Sequence, residues 1–149
     1  MGLSERINED IKSAMRAKDK VTLEALRAAK TAFTLARTQE SAANVLGADE
    51  ELKIIQKLVK QRREAAAIYK QQSRDDLYQK EIEEADVLEK YLPARMNPEE
   101  LRAYLQDLIK KTGASGMKDM GRVMGMATKE LAGKADGKEI SVQVKELLS

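Results

Sequence analysis

Leu3, Ile7, Ile11 and Met15 recur at three- to four-residue spacing behind Ser4, and this pattern predicts a first short helix capped by Ser4 and ending near Ala17. Asp19 is placed to cap a second helix with the stripe Leu26, Ala29, Phe33 and Ala36, which fades into a polar loop from Ser41 to Gly47. Asp49, Glu50 and Glu51 suit the positive end of a third helix running to about Gln72, with Ile54, Ile55, Leu58, Ala65, Ala66 and Tyr69 on its apolar side. Ser73 and Asp76 form an approximate capping pattern for a fourth helix, which turns Leu77, Ala85, Leu88 and Leu92 inward.

Pro93 removes a backbone donor and disfavours helix in the residue before it, so the fourth helix stops at Leu92. Asn97-Pro98-Glu99-Glu100 restarts the chain with a cap, a proline at the first helical position and a capping-box glutamate, followed by Leu101, Leu105 and Leu108. Gly113 closes that helix, a sixth carries Met120, Val123, Met124, Ala127 and Leu131, and Asp136 and Glu139 cap a seventh with Ile140, Val144, Leu147 and Leu148. The expectation is an all-α protein: a four-helix N-terminal domain over residues 1–92 and a three-helix tail domain over 93–149.

Composition supports helices over a sheet sandwich, since 35% of the 149 residues are charged and only 3% aromatic. The absence of cysteine rules out disulfides and thiolate chemistry, and with histidine also absent the usual general bases and transition-metal ligands are missing. We therefore expect no catalytic residues, no cofactor and no metal. No apolar run approaches the roughly 20 residues of a membrane span, and the first residues lack the apolar stretch of a signal peptide, which implies a cytoplasmic protein with no membrane association.

The net charge of +2 lies entirely in 93–149, where ten basic side chains face eight acidic ones; residues 1–92 balance seventeen against seventeen. Within the first part the signs are segregated. Lys53, Lys57, Lys60, Arg63, Lys70 and Arg74 form a basic ridge on the third helix, and seven acids fall between Asp75 and Lys90. Cross-pairing of these two helices as antiparallel neighbours is favoured over phosphate contact by the ridge. Arg62 projects toward the apolar side and requires a buried partner, an acid of the first or fourth helix. Glu81, Glu83, Glu84 and Asp86 read as a solvated face.

Six of the eight glycines lie between Gly113 and Gly137. Gly133-Lys-Ala-Asp-Gly137 has the wrong spacing for a phosphate loop and follows no strand, and Gly113-Ala-Ser-Gly116 lacks the sheet that a K-homology clamp needs. Gly121 and Gly125, one turn apart, make a smooth helical face suited to close packing inside the tail. Met120 and Met124 belong to the core stripe, whereas Met117 and Met126 are adaptable contact points.

The run Gly113-Ala-Ser-Gly-Met-Lys-Asp-Met-Gly-Arg-Val-Met-Gly125 with Gly133-Lys-Ala-Asp-Gly137 resembles the YqeY-like family and the tail of the B subunit of glutamyl- and aspartyl-tRNA amidotransferase. Leu3-Ser-Glu-Arg-Ile7, Leu58-Val-Lys-Gln-Arg-Arg63 and Leu88-Glu-Lys-Tyr-Leu-Pro93 extend the YqeY resemblance over the whole chain. The resemblance implies a helical N-terminal domain joined to a three-helix tail that holds tRNA. It also implies association with carbon–nitrogen ligase chemistry using glutamine as amide donor, without a catalytic site in this chain. Lys118, Arg122, Lys129, Lys134 and Lys138 are the implied phosphate contacts, and Gly121, Gly133 and Gly137 permit close approach. A protein-interaction adaptor working through the tail or the basic third helix is the alternative.

Overall fold

The computed structural model describes residues 2–39 and 46–149, and these are all-helical, with no strand among them. Two compact units are present, Met1–Leu92 and Pro93–Ser149.

The first unit contains α1 (Leu3–Ala17), α2 (Lys20–Gln39), α3 (Ala48–Gln71) and α4 (Asp75–Glu89). Its core is built on Ile7, Leu26, Phe33, Ile55 and Leu88, each essentially removed from water. Full burial of side chains of this size contributes roughly 1.5–3 kcal/mol apiece. The helix ends differ from the expectation in three places. Gly2 rather than Ser4 precedes α1, and Ser4 sits inside the first turn, where its Oγ donates to Glu51 Oε2 at 2.6 Å and accepts from Arg37 Nη2 at 2.8 Å. A side chain committed to a tertiary network is not available as a cap. Met15 is 54% exposed and Ala14 takes the inward position, because the apolar stripe drifts by one residue over the last turn of α1. No side-chain cap holds the start of α4. Arg74 stands at that position, after a turn in which Ser73 takes φ of +58°. The predicted loop over 41–47 falls largely outside the described residues, but its Leu46 is buried in the core.

α3 and α4 form an antiparallel hairpin with the most extensive packing in the molecule. Arg63 of α3 pairs with Asp86 at 3.1 Å and with Glu89, while Lys70 lies 5.6 Å over the Tyr78 ring. The end of α4 is tied to α1, since the Tyr91 hydroxyl donates to Asp10 and the Arg6 guanidinium lies 5.1 Å over the Tyr91 ring. Burial, and then the neighbouring carboxylate, push the Tyr91 hydroxyl upward, so it remains a donor at neutral pH.

The second unit contains α5 (Pro98–Thr112), a single 3-10 turn (Met117–Asp119), α6 (Met120–Glu130) and α7 (Gly137–Leu148). Asn97 Oδ1 accepts the Glu100 N–H at 2.8 Å, Pro98 occupies the first helical position, and Gly113 closes α5 at φ of +71°. Asp136 caps α7 by accepting the Lys138 N–H at 3.2 Å. The unit's core is Leu101, Leu105, Val123, Ala127, Ile140 and Val144, with Met120 and Met124 packed against its edge.

Candidate nucleic-acid interface

The amphipathic pattern of α6 determines which of its residues reach solvent. Val123 and Ala127 are buried, so residues half a turn away must face outward. Arg122 and Lys129, seven residues apart, project from the same side with a rise of about 10.5 Å between them. Lys118 precedes them in the 3-10 turn, and all three are exposed. Gly121 and Gly125 occupy one flank of this face and Met126 the other; Met117 and Met126 are 45% and 40% exposed.

The glycines divide by cause. Gly133 has φ of +80°, a conformation that favours glycine, in the turn between α6 and α7. Gly121 and Gly125 are different, because a Cβ built on either meets nothing within 4 Å. The expectation that these two serve helix packing inside the tail is therefore overturned. The α6 stripe that packs is Met120, Val123, Met124 and Ala127, and the glycines lie outside it. Both are exposed, Gly121 in the first turn of α6 and Gly125 in its interior, where glycine costs about 1 kcal/mol relative to alanine. Gly137 opens α7 and is likewise unobstructed.

Local electrostatics modulate the face. The Ser115 N–H donates to Asp119 at 3.0 Å, and this bond, aided by the charges of Arg122 and Lys118, holds Asp119 below the usual carboxylate range. Arg122 lies 3.4 Å from the same carboxylate, so Lys118 and Lys129 are the freer cations of the three.

The other two implied contacts lie elsewhere in the tail. Lys134 is exposed in the turn after α6, its carbonyl accepting the Met96 N–H at 2.9 Å. Lys138 borders a groove of about 580 Å³ walled by Met96, Pro98 and Val142 and edged by the Arg95–Glu139 pair. The sequence reading missed this groove, although Val142, an apolar residue off the Ile140–Val144–Leu148 stripe and 51% exposed, was its visible sign.

In the first unit the basic ridge is divided. Arg63 and Lys70 are engaged by α4, and Arg74 lies 3.5 Å from Asp76, whereas Lys53 and Lys57 remain exposed; Lys60 is exposed and not without a partner. Glu84 was expected on a solvated face and is instead 6% exposed. Burial pushes its carboxyl above the ordinary value, while the Arg62 charge across the α3–α4 seam pulls it back. Arg62 thus acts on an acid of the fourth helix, with its Nε buried and lacking a hydrogen-bond partner.

Among the described residues, no helix is long and apolar enough to cross a membrane. The profile of the family described as Yqey-like protein matches residues 4–148. The chain is also 28% identical, over 148 residues, to "Altered inheritance of mitochondria protein 41, mitochondrial" from Pyrenophora tritici-repentis, covering 96% of this chain and 79% of that protein.

Proposed function

We propose, from the premise that this chain belongs to the YqeY-like family, that it is a tRNA-associated module whose tail grips folded RNA through phosphates and shape. The observation that carries this reading is the outer face of α6 with the turn before it: Lys118, Arg122 and Lys129 beside two glycines that no internal packing requires. Cations on a helix face supply the sequence-independent part of nucleic-acid affinity, and an unobstructed backbone lets a phosphodiester strand approach closely. Lys134 and Lys138 extend the positive surface from the following turn and from α7. The resemblance to the amidotransferase tail supports a place beside tRNA-dependent amide transfer, in which this chain holds the RNA and another protein supplies the chemistry. We assign the activity to the cytoplasm, which imaging of a fluorescent fusion checks.

The test is equilibrium binding of the full chain to a tRNA transcript at 0.1 M salt. Replacing Lys118, Arg122 and Lys129 together by alanine is expected to weaken binding on the order of tenfold or more. Absence of binding by the unaltered chain, or equal binding by the variant, contradicts the reading. Retention of a protein partner after nuclease treatment, with no RNA affinity, favours an adaptor instead.

A further inference from the structure

The outer face of α2 carries a basic surface that the amphipathic pattern of the sequence did not single out. Ala25, Leu26, Ala29 and Phe33 are buried, which turns Lys20, Arg27, Lys30, Thr31, Thr34 and Thr38 toward solvent, and all six are exposed. This stripe is about 27 Å long at the helical rise. Its acid, Glu24, is already paired with Lys80 of α4 at 3.1 Å, so its charge does not offset the cations.

Arg27 stands apart from the other arginines. Among the described residues, each of the others except the half-buried Arg62 is engaged within the chain by a carboxylate, a hydroxyl or an aromatic ring, as with Arg37 on Ser4, Arg63 on Asp86 and Arg102 on Glu146. Among the described residues the exposed Arg27 has no such partner, and its planar fork matches phosphate oxygens. Lys20 and Lys30 flank it as further point charges.

We infer that the outer face of α2 is a second phosphate-binding surface for RNA, with Arg27 at its centre and Lys20 and Lys30 on either side. The inference rests on the RNA reading of the tail and extends the grip to the first unit. The chemistry of the face favours RNA over an acidic protein. Protein interfaces concentrate apolar and aromatic side chains at their centre, whereas this stripe offers mainly cations and hydroxyls, with the half-buried Leu23 among them and Leu35 at its margin. Thr34 and Thr38 donate their hydroxyl protons to the Lys30 and Leu35 carbonyls, at 3.0 and 2.8 Å. Their oxygens keep lone pairs that accept from a ribose 2′-hydroxyl, and Thr31 remains able to donate to phosphate.

The experiment compares the full chain, the K20Q/R27Q/K30Q variant and the K118A/R122A/K129A variant for binding to a tRNA transcript over a range of salt. All substitutions lie on exposed faces, and circular dichroism checks the fold. The α2 variant is expected to bind about tenfold or more weakly at 0.1 M salt, with a log–log salt slope shallower by about 2. An α2 variant with unaltered affinity and slope overturns the inference even when the α6 variant is impaired. Loss in the α2 variant alone overturns the reading of the tail and leaves this surface standing. Lack of RNA binding by the unaltered chain overturns both. Binding to polyglutamate that only the α2 substitutions abolish, with RNA affinity unaltered, overturns it in favour of an acidic protein.

Discussion

Gly121→Ala and Gly125→Ala each add a methyl group to open space, and each is expected to stabilise the chain, Gly125→Ala in the interior of α6 by about 0.5–1 kcal/mol and Gly121→Ala in its first turn by less. Denaturant titration measures this, and destabilisation by either substitution would contradict the geometry. If the glycines serve a ligand, the same variants bind RNA less well, which separates stability from function at single residues. Glu84 yields a second prediction. Because burial raises its folded pKa above the ordinary 4.5, its contribution to stability is fully present below that value and is lost as pH rises through the folded pKa. Glu84→Gln removes this loss, so the stability of the variant relative to wild type grows from pH 4 to pH 7. A pH-independent difference would show that Glu84 titrates as an ordinary carboxyl. Neither residue's environment was legible in the chain. The glycines sat one turn apart on a face that looked able to pack, and Glu84 sat beside Glu83 and Asp86, which are in fact exposed. One helical step decided burial in each case.

At the scale of elements, legibility followed the strength of local chemistry. Asn97 with Pro98, Asp136 and Gly113 act on their own backbone neighbours, and each ended or began a helix as expected. Asn97→Ala is expected to cost about 1 kcal/mol by leaving the Glu100 N–H without its acceptor, measurable by thermal unfolding. An unchanged midpoint would mean that water replaces the cap without loss. Ser4 failed as a cap because a tertiary demand outweighed a local one: Glu51, 9% exposed at the start of α3, requires a donor, and Ser4 supplies it. Ser4→Ala is therefore expected to destabilise by about 1–3 kcal/mol, more than loss of an exposed hydroxyl, while Arg63→Ala costs under about 1 kcal/mol because its partners are exposed. Competition between local and tertiary partners is what sequence spacing alone does not resolve.

At the scale of the whole molecule, the two units have separate cores, one on Phe33 and Ile55 and one on Leu105 and Val144. The proposed binding surfaces lie outside both cores, on the exposed basic faces of α2 and α6. The missing histidine and cysteine are what led to the expectation of binding in place of catalysis. Which basic side chains stay free for a partner was only partly legible, because that depends on whether an acid from another helix reaches them, as Asp86 and Glu89 reach Arg63. The proposed function places RNA on the outer face of α6 and the turn before it. Ultraviolet crosslinking of the full chain to a tRNA transcript, with mass-spectrometric mapping of the adducts, tests it most directly. Adducts are expected within Met117 to Lys129, suppressed by competitor RNA and by high salt. Adducts that avoid this segment, or none beyond the background of an unrelated protein of similar charge, would contradict it.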